Sequence, residues 1–136
     1  MILGPRVLRP SDRGAVTISL AILFPTVLFI VLMVVQASLW WYASQAAVAA
    51  AREGVEAGRV RGATLADGDA RVGEFLGRFD NLARPVRVSH DGSDADSVEY
   101  VVEVRTQSVL PFVDGRTIVR TARAPRERFT APGGTP

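Results

Sequence analysis

The chain has 136 residues, with 16 basic and 14 acidic side chains, a formal net charge of +2 and no cysteine. The lack of cysteine excludes thiol chemistry and cysteine-ligated metal sites. Three basic residues precede a long uncharged segment, and the remainder of the chain carries equal numbers of acids and bases. We therefore expect no nucleic-acid partner, because such a partner requires a basic face.

The segment from Ala15 to Ala51 carries no charged side chain. Its first part exceeds the about 20 mostly apolar residues that a membrane-spanning helix requires. Trp40, Trp41 and Tyr42 follow this part, and amphipathic aromatic side chains prefer the membrane–water interface. Arg13 and two further arginines stand on the opposite flank. By the positive-inside rule, the sequence predicts a single span with its N-terminus in the cytoplasm.

The apolar segment is much longer than the core of a cleaved secretory signal, which is about 7–15 residues. We therefore expect an anchor helix rather than a conventional signal peptide. The predicted segments are a cytoplasmic leader at 1–14, a transmembrane helix at 15–42, an extracytoplasmic extension of that helix at 43–60, a small α+β head at 61–124 and a disordered tail at 125–136.

Small residues follow one side of the helix extension. Ala46, Ala50 and Gly54 are spaced by four residues, so they form a smooth ridge on which another backbone can approach closely. The ridge therefore predicts a packing partner whose backbone lies close to it. An alternative is that the helix covers the domain's own sheet through Leu39, Val48 and Val55.

Apolar residues at helical spacing predict a second helix from Leu65 or Asp67 to about Leu82, capped by Thr64 or Asp67. A period of two then predicts about three antiparallel strands, the last at 117–124. The expected inward residues are Val86 and Val88 in the first strand, Val98, Tyr100, Val102, Val104 and Thr106 in the second, and Ile118, Val119 and Ala122 in the third. The fold class is α+β.

Few side chains in this sequence are candidates for catalysis or metal binding. His90 is the single histidine, and it precedes an Asp-Gly turn, so we interpret it as a solvated loop residue. Asp91, Asp94 and Asp96 lack the ligand spacing and the distal glutamate of an EF-hand loop, which favours a polar turn over a calcium site. We therefore expect no catalytic residue, no metal, no cofactor and no enzymatic activity.

The N-terminal segment combines Arg13-Gly14, the small residue Ala15 and a long apolar helix with Pro25 near its beginning. This combination resembles the class III signal of type IV pilin-like proteins. More closely, it resembles the TadE-like family, the pseudopilins of Tad or Flp-type pilus systems. The typical family stretch runs Arg-Gly-small-x-x-x-Glu-hydrophobic and later Leu-Pro, and residues 13–25 align with it.

One position departs from that pattern. Ser19 stands where family members usually carry a glutamate, which is thought to neutralise the new N-terminal amine of a neighbouring subunit in the membrane. A lone carboxylate is costly there unless it is paired, so its usual presence implies a partner. Serine forms hydrogen bonds but compensates no charge.

The resemblance implies a pilin-like fold and a TadE-like minor pseudopilin, a structural component of a Tad/Flp-type pilus or a related secretion system. It implies cleavage between Gly14 and Ala15 by a membrane prepilin peptidase. It also implies a bacterial cytoplasmic membrane protein that packs against other pilin-like subunits and pilus assembly proteins, with Ser19, Pro25 and the ridge as assembly residues.

Two alternatives remain open from the sequence. The first is an uncleaved single-pass membrane protein whose exported domain binds an envelope partner or a ligand. The second is a membrane-tethered enzyme, for which no catalytic set of residues is visible in the sequence.

Overall fold

The structure, a computed structural model, describes residues 12–79, 82–111 and 113–127. Its elements are α1 (Asp12–Arg59), α2 (Leu65–Gly77), β1 (Ala83–Ser89), β2 (Ser97–Thr106) and β3 (Thr117–Pro125). The three strands form one antiparallel sheet in the order β1-β2-β3. The predicted α+β fold, with a long helix, a second helix and three antiparallel strands, is confirmed. Most of the predicted leader and of the predicted tail lies outside the described residues.

α1 is one continuous helix of 48 residues, about 72 Å long at 1.5 Å per residue. It already includes Asp12, three residues before the predicted start at Ala15, and Pro25 lies inside it without ending it. Its inner part is long and apolar enough to cross a membrane, since an 18-residue stretch has a mean hydropathy of 2.9 and none of that stretch is buried in the protein.

The outer part of α1 belongs to the hydrophobic core of the head. This core lies between α1, α2 and one face of the sheet, and β2 contributes its inward residues as the central strand. The predicted inward face of β2, from Val98 to Thr106, is buried as expected. Alanine dominates the α1 contribution, which lets the helix axis lie close to the sheet. The buried alanines are Ala43, Ala46, Ala47, Ala50 and Ala51.

The start of α2 is fixed by a capping box. The Thr64 hydroxyl accepts a hydrogen bond from the backbone N–H of Asp67 at 3.3 Å, and the Asp67 carboxylate accepts one from the backbone N–H of Thr64 at 2.7 Å. The bond from the Thr64 N–H, together with one from the Thr64 hydroxyl to the same carboxylate at 2.8 Å, lowers the pKa of Asp67. The two bonds of the capping box also satisfy donors that the first turn of a helix leaves unpaired.

α2 ends at Gly77, and the prediction that it extends to Leu82 is wrong. The backbone N–H groups of Arg78 and Phe79 donate to Phe75 and Leu76, three residues back, which tightens the last turn. β1 begins at Ala83. Leu82 therefore lies outside the helix, and it is 37% exposed.

Two residues predicted to face the core do not. The β1–β2 register shifts between Pro85 and Arg87, so Val86 lies in a bulge and is 52% exposed. Pro85 has no backbone N–H and cannot donate a hydrogen bond to the neighbouring strand. Proline within sheets is therefore found at bulges and at edge strands. In β3, Ile118 and Val119 are neighbours on a strand with period two, so only one of them can face inward. Ile118 does, and Val119 is exposed.

Candidate functional site

The predicted processing residues lie within α1. The helix already includes Asp12, so the backbones of Arg13, Gly14 and Ala15 are helical in the uncleaved chain. The side chains of residues 12–16 are outside the described part of the structure.

The inner half of α1 presents a continuous uncovered surface. From Thr17 to Val35, every side chain except that of Leu32 is exposed. Ser19 and Pro25, predicted as assembly residues, lie within this surface. The hydroxyl of Thr26, which follows the proline, donates to the carbonyl of Ile22 at 2.8 Å, so this polar group is satisfied within the helix. Such an uncharged apolar surface requires lipid or other apolar helices around it.

Gln36 ends this exposed surface and joins the helix to the head. Its side chain is 1% exposed. The side-chain amide oxygen accepts hydrogen bonds from the Val109 N–H at 2.9 Å and from the Ser108 hydroxyl at 3.2 Å. The side-chain NH₂ donates to the Gln107 carbonyl at 3.3 Å. We call this set of bonds the Gln36 clamp, and it attaches the loop between β2 and β3 to α1.

The Gln36 clamp is not among the features that the sequence predicts above. The signal available was chemical. A primary amide carries two donor hydrogens and an acceptor oxygen, and burying such a group without partners is costly. A lone glutamine late in an apolar helix therefore indicates a polar contact, although its partner lies more than 70 residues away in sequence.

The three aromatic residues predicted as an interfacial belt have three different environments. Trp40 is half-buried, and the guanidinium carbon of Arg116 lies 5.3 Å from its ring centroid. Trp41 is 67% exposed. Tyr42 packs edge-to-face on Phe79 with centroids 5.8 Å apart. Trp40 and Tyr42 thus also hold the sheet and the end of α2 against α1.

The small-residue ridge of α1 is covered by the chain's own head. Ala46 and Ala50 are buried in the core. A Cβ atom placed on Gly54 would lie 2.6 Å from Val72 Cγ2 and 3.0 Å from Tyr100 Cγ. The close partner that the ridge predicts is therefore α2 and the sheet of the same chain, which removes these residues from the surface that other subunits can contact.

Tyr100 is the largest fully buried side chain of the core. Its ring lies against Gly54 and Gly58 of α1, and its hydroxyl lies beside Gly68 of α2 and donates to the Leu65 carbonyl. Burial, assisted by the negative charge of Asp69, raises the pKa of Tyr100 to about 12. The group is therefore neutral at physiological pH and acts as a structural hydrogen-bond donor.

His90 is half-buried rather than solvated, which corrects the sequence interpretation. Its ring meets Tyr100 edge-to-face at 6.0 Å, and its Nε2 lies 3.5 Å from Asp69 Oδ2. The neighbouring acidic segment is a polar turn, as expected. The Asp94 carboxylate accepts bonds from the backbone N–H of Ser97 at 2.7 Å and from Arg123 at 2.7 Å, and the bonds from Ser97 chiefly lower its pKa.

The comparisons with known proteins concern α1. A family model described as TadE-like protein matches residues 14–56. The match spans the exposed apolar half of α1 and most of its buried half, whereas α2 and the sheet lie outside it. The resemblance to the TadE-like family is thereby confirmed over this segment. Neither a curated protein nor a solved structure matches the chain.

Proposed function

We propose that this chain is a TadE-like minor pseudopilin, a membrane-anchored structural subunit of a Tad/Flp-type pilus or a related secretion system. The observation that carries the proposal is the coincidence of two features on α1. The segment similar to TadE-like proteins begins at Gly14, and the helix that follows exposes an uncharged apolar surface from Thr17 to Val35. The role requires no reaction by the chain itself.

α1 has two parts with different roles in this proposal. The part from Thr17 to Val35 contacts lipid before assembly and other pilin-like helices after it. The part beyond Gln36 is occupied by the head, so its small-residue ridge serves folding. Helix packing between subunits therefore involves the inner half, where Ser19 and Pro25 lie.

The proposed membrane position follows from the length of the uncovered surface. The 19 residues from Thr17 to Val35 span about 28 Å, close to the hydrocarbon thickness of about 30 Å. The outer edge of the hydrocarbon then lies at Gln36, because the polar backbone of the clamped loop belongs outside it. The aromatic residues 40–42 lie in the headgroup region above that edge. Arg13 stands at the inner end of the span, and by the positive-inside rule it supports a head outside the cytoplasm.

Processing is the first test of the proposal. In cells with an active prepilin peptidase, we expect the mature chain to begin at Ala15, and Gly14→Ala to accumulate the intact precursor in the membrane fraction. N-terminal sequencing and intact mass of the membrane-extracted protein measure this. The matched control is Gly77→Ala, because a Cβ atom there meets nothing within 4 Å. An intact Met1 in the unsubstituted protein would contradict cleavage and favour the uncleaved single-pass protein.

Subunit packing is the second test. A photo-crosslinking amino acid is placed in turn at five consecutive positions, Leu20 to Phe24, which together face every direction around the helix. In cells that assemble the pilus, we expect at least one position to form adducts with pilin-like subunits, identified by mass spectrometry. Gly73 is the control position, since it is exposed but lies on α2. Adducts with lipid alone at all five positions, or equal protein adducts at Gly73, would count against assembly through this surface.

A further inference from the structure

The head carries a distinct surface at the end that faces the proposed membrane. β2 ends at Thr106 and β3 begins at Thr117, so the loop 107–116 connects them at one end of the sheet. The Gln36 clamp attaches this loop to α1 at the first residue after the uncovered apolar half. We call the described residues of this loop, 107–111 and 113–116, the membrane-proximal loop. Its place at the membrane edge rests on the membrane insertion described under the proposed function.

The membrane-proximal loop exposes apolar side chains although the head has a core to bury them in. Val109 is 42% exposed and Val113 is 40% exposed. The clamp fixes the Val109 backbone beside α1, so its side chain is held at the level at which the helix leaves the hydrocarbon. Apolar side chains fixed at that level are stabilised by contact with the upper part of the lipid.

Basic side chains surround the loop. Arg84 and Arg105 line a depression of about 340 Å³ together with loop residues, and Asp114 is the acid in that lining. Arg116 and Arg120 line a second depression of about 250 Å³ beside Trp40. Arg105, Arg116 and Arg120 outnumber Asp114, the one acid among the described residues that line these two depressions, so this end of the head is positively charged.

Three arginines at this end have no acidic partner among the described residues. Within the described part of the chain, Arg105, Arg116 and Arg120 make no ion pair with an acidic side chain. Arg120 instead donates to the Ser44 hydroxyl at 3.0 Å, and Arg116 lies over the ring of Trp40. Several arginines elsewhere in the head are paired with acids: Arg59, Arg71, Arg78, Arg87 and Arg123.

We propose that the membrane-proximal loop and its flanking arginines form a second membrane contact, which rests on the bilayer surface and binds anionic phospholipid headgroups. Two features indicate the bilayer surface as the partner. The surface is continuous with the span, since α1 enters the bilayer beside the loop, and the arginines complement the charge of anionic headgroups. Exposed valines insert at the acyl boundary while Arg105 and Arg116 meet phosphates. Such a contact fixes the tilt of the head relative to the membrane.

The experiment uses the full chain in lipid nanodiscs. The protein has no native cysteine, so Val113→Cys accepts a single environment-sensitive fluorophore. The nanodiscs contain about 30% phosphatidylglycerol, which gives a strongly anionic surface. In these discs we expect the emission of the fluorophore to shift to the blue and the fluorophore to be protected from a soluble quencher. Ala66→Cys, exposed at the start of α2 and far from Gln36, is the control site and should stay accessible.

The charge requirement is tested by Arg105→Gln with Arg116→Gln, compared with Arg52→Gln with Arg61→Gln, which removes the same charge from exposed positions elsewhere. A basic residue at an anionic surface contributes about fivefold in binding, so we expect the first pair to lower the ratio of docked to undocked loop roughly twentyfold and the second pair to leave it nearly unchanged.

The outcomes separate this proposal from the membrane insertion on which it rests. Failure of the chain to incorporate into nanodiscs would overturn the proposed membrane role. Incorporation with a fully accessible label at Val113, in anionic and in zwitterionic discs alike, would overturn the second contact alone. Equal protection in the two kinds of disc, or equal loss in both arginine pairs, would overturn the headgroup recognition.

Discussion

Replacing Gly68 with alanine is expected to lower the free energy of unfolding of the head by about 1–3 kcal/mol, the usual cost of overpacking a core. A Cβ atom at this position would lie 2.7 Å from the Gly54 carbonyl oxygen and would overlap the hydroxyl end of Tyr100. The first neighbour is backbone of α1 and the second is a fully buried ring, so neither moves easily. The change therefore separates α2 from α1 or displaces Tyr100 from its bond to Leu65.

Gly73 provides the matched control on the same helix. A Cβ atom there meets nothing within 4 Å, and the position is exposed. Alanine at an exposed helix position is favoured over glycine by about 0.5–1 kcal/mol, so we expect Gly73→Ala to stabilise the head. Denaturant unfolding of the full chain in detergent, followed by circular dichroism, measures both. A Gly68→Ala protein as stable as Gly73→Ala would contradict the described packing of α2 on α1.

Replacing Gln36 with leucine is expected to release the membrane-proximal loop from α1. The substitution keeps the apolar volume but leaves the Val109 N–H and the Gln107 carbonyl without their partners. A buried polar group without a partner costs about 1–3 kcal/mol, so the loop opens to water instead. We expect hydrogen exchange at the Val109 amide to accelerate roughly tenfold to a hundredfold, which corresponds to that cost.

Ser38 is the matched control for this second prediction. Its hydroxyl donates to the Val34 carbonyl within α1, and the residue is exposed. Ser38→Ala removes one hydrogen bond from the same region of the helix but none to the head. Hydrogen exchange measured by mass spectrometry on the full chain in nanodiscs should show no change in residues 107–116 for this variant. Equal acceleration in both variants would mean that the clamp does not hold the loop.

Features determined by local sequence were predictable. The inward face of β2 follows from an alternation over ten residues that Val101 interrupts, and the start of α2 follows from the Thr64–Asp67 capping pair. The resemblance at the N-terminus depends on a short contiguous pattern around Gly14, and the family match covers that segment. In each case the residues that determine the feature lie within about one or two turns or one strand of each other.

Features that depend on distant residues were not predictable. The bulge at Val86 depends on how Pro85 is accommodated in the ladder with β2. The partner of the ridge at Gly54 is Tyr100, 46 positions later in the chain, and a small-residue ridge is equally suited to another subunit. Gln36 finds its partners more than 70 residues away. The sequence indicates that the ridge and the Gln36 amide are buried, but it does not identify the residues that cover them.

The position of Pro25 within a continuous helix has a mechanical consequence. Proline removes one backbone donor, so bending is easiest at that turn. The head is fastened to the helix from Gln36 onward, and the end of α1 at Arg59 lies about 51 Å from Pro25. A bend of about 20° there swings that end by roughly 18 Å. In the proposed assembly, small adjustments of the helices packed around the inner half of α1 therefore become large displacements of the head.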